Sequence, residues 1–336
     1  MSGKSDTTEK TVKSVKSGKA EKSTKAEKGA KDVTSEPRLA VFKTYKLYVG
    51  GKFPRSESGR VYEVTTATSD AGAAGKGNWL ANAPLASRKD ARDAVVAARK
   101  AFGGWSGATA YNRGQILYRV AEMLEGRKEQ FVREVADAEG LSRAEAALRV
   151  EAAIDRWVWY AGWTDKIAQV VGGGNPVAGP YFNLSTPEPM GVVAVVAPQE
   201  SSFLGLVSVV APVIATGNTA VVIASERSPL PALSLGEVLA TSDVPGGVVN
   251  VLSGRTAEVA APLAAHQDVN AIDLAGADDV LARELEIAAA DNLKRVLRPQ
   301  PVDYFSTPGT ERLTAFLETK TVWHPTGSLG ASGSSY

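Results

Sequence analysis

The sequence predicts a doubly wound α/β fold around a parallel sheet, because apolar runs of strand length alternate with helical segments. Residues 190–197, 219–224 and 248–252 carry no charge and are rich in Val, which is typical of strands buried on both faces. Between them, residues 203–215 have the length and apolar character of a buried helix. A second helix is predicted to begin at Ser228-Pro229, with Ser as N-cap and Pro at the first helical position. Strand, helix, strand, helix, strand is the order of a doubly wound unit.

The composition is that of a globular protein with an unremarkable charge balance. The 336 residues are 44% hydrophobic and 22% charged, and the net charge is +1. We therefore expect no nucleic acid and no anionic membrane as partner. The chain has no Cys, which excludes disulfides, thiolate ligands and a thiol nucleophile. His266 and His324 are the two histidines, too few for a zinc site, so no metal is expected.

The termini and the longest apolar region bear on localisation. The N-terminus lacks the apolar core of a signal peptide, and Pro212 interrupts the apolar region. We expect a cytoplasmic protein. Lys recurs at every third position from Lys10 to Lys31, so residues 1–38 are predicted to be a disordered Lys-rich tail, with a basic arm for an acidic partner as the alternative. Residues 326–336 are predicted to be a flexible C-terminal tail.

The region before the apolar core reads as a hairpin followed by helices. Residues 47–64 predict two short strands joined as a hairpin, and residues 66–86 predict a loop. Ser87 is predicted to cap a helix through Ala101. Residues 113–138 predict one long amphipathic helix, and the Ser142-x-x-Glu145 capping box opens the next.

Several ordered motifs carry a resemblance to a known family. They are Glu188-Pro189-x-Gly191, Gly217-Asn218, Ser225-Glu226-x-x-Pro229-Leu230, Val244-Pro245-x-Gly247-Val248-Val249-Asn250 and His266-x-Asp268-Val269. The chain resembles the aldehyde dehydrogenase superfamily, and within it the degenerate second module of the aldehyde dehydrogenases that have two modules. The resemblance covers residues 45–296 and returns near the C-terminus.

The resemblance implies a Rossmann-like nucleotide-binding domain with a small β oligomerisation arm. Residues 39–164 and 187–300 are assigned to the α/β domain, and residues 165–186 and 309–325 to the arm. A helix is expected over 280–296. Where the family continues with its catalytic domain, this chain reaches its C-terminal strand after a short connection, so the catalytic domain is expected to be absent.

The resemblance also locates the family's chemistry, and each group is missing. The thiolate is absent, because there is no Cys. The oxyanion Asn position holds Glu200, whose charge would repel a developing oxyanion. The general-base Glu falls near 298–301, where no carboxylate stands. We predict that the chain has no catalytic residue.

The family's cofactor positions are eroded in this chain. Of the residues that hold the adenosine ribose, only Glu226 remains, and Ile223 replaces a Lys. The phosphate-binding turn keeps Gly276, but Asp278 adds a negative charge at a helix N-terminus that would bind phosphate. We predict no bound cofactor, with NAD held weakly at best, in the millimolar range. Glu226 and Gly276 are retained as vestigial cofactor-binding residues.

These features together predict a catalytically inactive homologue that acts as a structural or regulatory subunit. Its expected partner is an active aldehyde dehydrogenase subunit in a hetero-oligomer, or a second copy in a homodimer. An NAD-binding sensor without chemistry is the first alternative, and an NAD(P)-dependent aldehyde oxidoreductase is suggested by resemblance alone. A new acidic site for a cation at Glu200, Asp278 and Asp279 is less favoured than carboxylates that cap helices.

Overall fold

The computed structural model describes residues 39, 41–67 and 77–326. The predicted tail at 1–38 and residues 327–336 of the predicted C-terminal tail lie outside this range. In chain order the elements are β1 Val61–Thr65, β2 Trp79–Pro84, α1 Arg88–Ser106, α2 Ala110–Glu125, α3 Lys128–Glu139, α4 Arg143–Trp163, α5 Ile167–Val171, β3 Gly173–Asn175, β4 Tyr181–Pro189, β5 Val192–Val196, α6 Leu204–Ala215, β6 Thr219–Ile223, α7 Leu230–Ala240, β7 Val249–Leu252, α8 Thr256–Ala264, β8 Ala271–Asp273, α9 Asp279–Ala290, β9 Arg295–Leu297, α10 Glu311–Thr314 and β10 Leu317–Pro325.

A five-stranded parallel sheet lies at the centre of the fold, in the order β7-β6-β5-β8-β9. In this sheet β5 is the first strand in sequence. The chain adds β6 and β7 on one side of β5 and then crosses to add β8 and β9 on the other side. This order confirms the predicted α/β fold. The direction in which strands are added therefore reverses between β5 and β8, and folds of this kind bind ligands at such a reversal.

The strands of this sheet are buried on both faces, as their uncharged composition predicts. Val193 and Val195 of β5 face a core that includes α6, while Val192 and Val196 face a second core that includes α8. Every residue of β5 and β6 is buried. Gly217 ends α6 with a φ of +94°, a conformation that glycine adopts without strain.

A separate antiparallel sheet has the order β10-β4-β3. β10 pairs with β4 along its whole length, from Leu317 opposite Pro189 to Pro325 opposite Tyr181. The short strand β3 pairs with the other edge of β4. The sheet therefore joins the two segments assigned to the arm, residues 165–186 and 309–325.

The N-terminal pairing differs from the predicted hairpin at 47–64. Tyr48 forms an antiparallel bridge with Val251 of β7, and β1 pairs with β2. Leu47 and Tyr48 are fully buried, so this segment packs on the large sheet. Six residues of the region predicted to be a loop at 66–86 form strand β2, and residues 68–76 lie outside the described range.

Three helix boundaries also differ from the predicted ones. The predicted long helix at 113–138 is two helices, because Gly126 ends α2 and Arg127, with a φ of −114°, leaves helical geometry. The predicted helix at 280–296 ends at Ala290, and its last residues form β9. Ser228 does not cap α7. Its hydroxyl donates to the carbonyl of Ala138 instead.

Candidate functional site

The carboxyl ends of β5, β6 and β8 meet at one edge of the parallel sheet. This is the edge at which doubly wound folds bind their ligands. The loop after β6 carries Glu226, and the loop after β8 carries Gly276. The fold thus brings the two predicted cofactor residues to the same edge.

Gly276 lies directly against the loop that follows β5. Its N–H donates to the carbonyl of Val196 at 2.9 Å. A Cβ at this position would lie 1.8 Å from the carbonyl oxygen of Ala197, so no side chain fits. Gly276 therefore allows the loops after β5 and β8 to touch.

Gln199 ties the loops after β5 and β6 together, and sequence reasoning missed this role. Its side-chain oxygen accepts the N–H of Glu226 at 2.9 Å, and its amide nitrogen donates to Ala197 at 2.9 Å. The hydroxyl of Ser225 donates to the Gln199 carbonyl at 2.9 Å. A polar residue one position after Pro198, at the carboxyl end of a buried strand, was the available signal.

Glu226 is held at the start of α8. Its Oε1 pairs with Arg255 at 2.6 Å, and its Oε2 accepts the N–H of Thr256 at 2.9 Å. The side chain is 30% exposed and lines a cavity of about 410 Å³. A carboxylate can accept about four hydrogen bonds, so this one retains acceptor capacity for the hydroxyls of a ribose.

Asp278 caps the helix that would bind a phosphate. Its Oδ1 accepts the N–H of Leu281 at 2.8 Å, and Asp279 adds a second carboxylate in the first turn of α9. The side chain therefore satisfies an N–H that is free at an uncapped N-terminus. A phosphate bound at this helix N-terminus would either displace the Asp278 carboxylate or lie beside its negative charge.

Glu200 lies in solvent, at the position where the resemblance puts an oxyanion donor. The side chain is 83% exposed and pairs with Arg227 at 3.1 Å. Within residues 41–67 and 77–326, no three His, Cys, Asp or Glu side chains converge as they would around a metal. No helix in these ranges is both long and apolar enough to cross a bilayer.

A buried ion pair joins this edge of the sheet to the C-terminal part of the chain. Asp273, at the end of β8, has no exposed side-chain surface and accepts from Arg312 at 2.6 Å. Burial raises the pKa of Asp273, and the Arg312 guanidinium opposes that rise. For Arg312 burial favours a lower pKa, and the charge and hydrogen bond of Asp273 outweigh it, so the guanidinium stays charged. An Asp inside the apolar segment 271–277 was the only sequence signal for this pair.

The connection between β9 and β10 is short. Residues 298–316 run from the end of the parallel sheet to the antiparallel sheet and contain only the one-turn helix α10. Leu313 and Phe316 from this connection are buried in the larger core. The connection is therefore packed on the domain, with Arg312 anchored in it.

A family model described as the aldehyde dehydrogenase family matches residues 64–298. Among curated proteins, the chain is 32% identical over 266 residues to cytosolic 10-formyltetrahydrofolate dehydrogenase of Mus musculus, covering 77% of this chain and 28% of that protein. It is 33% identical over 260 residues to the putative aldehyde dehydrogenase DhaS of Bacillus subtilis, covering 75% of this chain and 50% of the relative. The chain thus spans half or less of these relatives.

Solved structures match over the same region. PnpE in complex with nicotinamide adenine dinucleotide superimposes with a TM-score of 0.70 at 29% identity, covering 75% of this chain and 50% of the other. The NAD⁺ complex of aldehyde dehydrogenase from Bacillus cereus has a TM-score of 0.67 at 29% identity, covering 76% and 50%.

These matches contradict the prediction of no bound cofactor, which is wrong. Two of the structures that share this fold are NAD complexes. The prediction weighed individual side chains, such as Ile223 and Asp278. It gave too little weight to the fold itself, because doubly wound folds bind ligands at the carboxyl ends of the parallel strands.

Proposed function

This chain belongs to the aldehyde dehydrogenase family, and from that premise we propose that it is a non-catalytic member that serves as a structural or regulatory subunit. The observation that carries the proposal is the short connection between β9 and β10 at 298–316, the place where the resemblance puts the family's catalytic domain. The matched part of this chain covers only 28% and 50% of the two curated relatives.

Loss of the reacting groups supports this proposal. Acyl chemistry on an aldehyde needs a nucleophile, and the chain has no Cys. It also needs a donor for the oxyanion, and Glu200 is an exposed carboxylate paired with Arg227.

The carboxyl edge of the parallel sheet, where Glu226 lines a cavity, supports a second element of the proposal. This element is binding of NAD(P) without turnover. The Glu226 carboxylate would accept hydrogen bonds from the ribose hydroxyls. A bound nicotinamide supplies a hydride acceptor, but this chain has no group to form the species that donates hydride. A cofactor-binding sensor is thus the second candidate function, and the match to NAD complexes favours it.

We further propose that the sheet β10-β4-β3 pairs this chain with an active aldehyde dehydrogenase subunit, or with a second copy. Among the described residues the outer edge of β10 has no strand beside it, although β10 is nine residues long. Exposed strand edges of this length recruit another strand. Phe182 and Trp323 add exposed aromatic surface to the same sheet.

Kinetics and calorimetry on the purified chain test the catalytic part. We expect no aldehyde-dependent formation of NADH, with saturable binding of NAD or NADP. The Glu200→Asn variant should stay inactive, because it restores a donor but no nucleophile. Turnover by a preparation free of other dehydrogenases would overturn the proposal. Absence of binding at millimolar NAD would remove the sensor candidate and leave the structural one.

Light scattering tests the assembly part. Removing residues 318–336 deletes most of β10 but keeps Arg312, Leu313 and Phe316 in place, so the α/β domain should stay folded. The matched control removes residues 327–336 alone. We expect the first truncation to reduce the complex to a monomer and the control to keep its mass. A monomeric intact chain at micromolar concentration, alone and with an active subunit, would contradict the assembly proposal.

A further inference from the structure

A second cavity lies beside the β1-β2 pair, and it shares no lining residue with the cavity around Glu226. Its volume is about 310 Å³, at the lower end of the range of ligand sites. Three aromatic and three cationic side chains line it, namely Phe42, Tyr45, Trp79, Lys43, Arg55 and Arg60. No Asp or Glu of the described residues lines this cavity.

Phe42 and Trp79 form an exposed aromatic pair at the cavity. Their ring centroids lie 5.2 Å apart and their planes cross at 81°, which is an edge-to-face contact. This contact leaves much of both rings in water, since Phe42 is 66% and Trp79 is 42% exposed. Val61 of β1 is exposed as well and extends the apolar surface. Apolar surface of this kind, bordered by polar groups, is typical of a site that contacts another molecule.

Arg55 and Arg60 bring positive charge to the cavity without a counter-charge. Within the part of the chain that the structure describes, neither guanidinium forms an ion pair or a hydrogen bond, and Arg60 donates only through its backbone N–H, to Ser58. Lys43 differs from both, because it pairs with Glu237 at 3.0 Å. The positive charge of the cavity that remains free is therefore that of the two arginines.

The carboxylates near these arginines in the sequence are engaged elsewhere. Glu57 pairs with Lys89 at 3.3 Å. Asp90 is buried and accepts the N–H groups of Glu57 at 3.1 Å and Ser87 at 2.8 Å. Glu63 lines the cavity around Glu226 instead. None of the three neutralises Arg55 or Arg60.

A hydrogen-bonded turn holds the two arginines in place. Ser56 is only 5% exposed, and its hydroxyl donates to the carbonyl of Leu85 at 2.7 Å. The N–H of Gly59 donates to the Ser56 carbonyl at 2.9 Å, and Gly59 has a φ of +67°. The backbone on both sides is therefore ordered before any partner binds, which limits the entropy lost on binding to that of side chains.

Aromatic residues and Arg are the types that protein interfaces concentrate, whereas Asp and Glu are depleted in their cores. We propose that this cavity docks an acidic linear segment of another protein. Two carboxylates of the segment pair with Arg55 and Arg60, whose planar guanidinium groups match a carboxylate in shape. An apolar side chain of the segment packs on the Phe42–Trp79 pair. A nucleic acid would need a longer row of cations, and the net charge of the chain is only +1.

This surface leaves the sheet β10-β4-β3 and Glu226 free. A chain that pairs with another subunit through that sheet can therefore hold a different protein at the cavity at the same time. The inference uses neither cofactor binding nor the arm, so it stands apart from the proposed function.

Fluorescence anisotropy with the full chain and a labelled peptide EDLFEDLFED tests the site. The peptide QNLFQNLFQN has the same length and apolar content without charge. We expect saturable binding of the acidic peptide with a Kd of about 10–100 μM, and binding of the neutral peptide at least about tenfold weaker. Raising the salt concentration from about 50 to about 300 mM should weaken the acidic peptide severalfold.

Paired variants locate the binding. Arg55→Gln/Arg60→Gln should weaken the acidic peptide at least about tenfold. Arg119→Gln/Arg143→Gln removes two exposed arginines of α2 and α4 outside the cavity, and this matched control should change the affinity less than about twofold. Trp79→Thr keeps a residue that favours strands and should weaken both peptides, because it removes the apolar contact.

The outcomes decide between this proposal and its alternatives. Equal binding of the two peptides, equal effects of the two double variants, or no saturation with the folded chain would each overturn it. A ten-nucleotide single-stranded DNA that bound more tightly than the acidic peptide through the same arginines would assign the surface to nucleic acid instead. If the double variant did not fold, each single variant should still weaken the acidic peptide at least about threefold, and unchanged affinity would count against the site. Failure in any of these tests leaves the proposed function standing.

Discussion

Breaking the Asp273–Arg312 ion pair should destabilise the protein far more than breaking an exposed ion pair with the same N–O distance. In Arg312→Met the Asp273 carboxylate, which is wholly buried, keeps only the N–H of Ala275 at 3.0 Å. Removing one partner of a buried pair costs about 3–5 kcal/mol, because the other charge remains without water or a counter-charge. The Arg312 side chain is 22% exposed, so water can partly enter and we expect the lower end, about 3 kcal/mol.

That loss is a large share of the stability of a typical domain, which is about 5–15 kcal/mol. With a urea slope of about 3 kcal/mol per M, the unfolding midpoint should fall by about 1 M. Circular dichroism in urea measures it directly. The matched control is Arg298→Met, which breaks an equally short pair whose Arg side chain is 76% exposed, and which should cost under about 1 kcal/mol.

The double variant Asp273→Ala/Arg312→Met removes both charges, and it should regain at least about 2 kcal/mol over Arg312→Met. Equal losses in Arg312→Met and Arg298→Met, or a double variant as unstable as the single one, would refute the argument that an unpaired buried carboxylate is the cause.

The stability that Arg312→Met loses should depend on pH. With Arg312 gone, only the N–H of Ala275 opposes the effect of burial on Asp273, so the folded pKa of Asp273 rises further above the unfolded value of about 3.9. A raised folded pKa contributes stability below the unfolded pKa and loses it as pH rises through the folded one. The loss caused by Arg312→Met should therefore be larger at pH 8 than at pH 5.

Three further predictions concern the nucleotide edge and one helix start. Asp278→Ser keeps a cap for α9 but removes a charge facing phosphate, so calorimetry should show NAD binding about fivefold tighter, whereas Asp291→Asn at the other end of the helix should change little. Gly276→Ala places a Cβ against the Ala197 carbonyl, and thermal unfolding should show a loss of several kcal/mol or no folded protein; unchanged stability would contradict the close approach. Ser142→Ala removes the cap of α4 and should cost about 1 kcal/mol in urea, a loss that Ser142→Asp should largely avoid.

Features that depend on neighbouring residues were predictable from the sequence. The uncharged runs at 190–197 and 219–224 identified β5 and β6, since strands buried on both faces exclude charge. Ser87 caps α1 and Ser142 forms a capping box at α4, as their local patterns predict. Glu226 and Gly276 were identified as candidate cofactor-binding residues because the chain keeps the spacing of the family's motifs. The lack of a thiol nucleophile also follows from residue types alone.

Features that depend on distant neighbours were not predictable in this way. Tyr48 exchanges backbone hydrogen bonds with Val251 because β7 is an edge strand of the parallel sheet, and no local pattern within 47–64 indicates that partner. Arg156 meets the carbonyl of Tyr304 from 148 positions away. A sequence shows which side chains are charged, but the free-energy cost of a charge depends on which residues pack around it and exclude water. Only the packing of β8 against the connection 298–316 places Asp273 beside Arg312 and keeps the Asp273 carboxylate away from water.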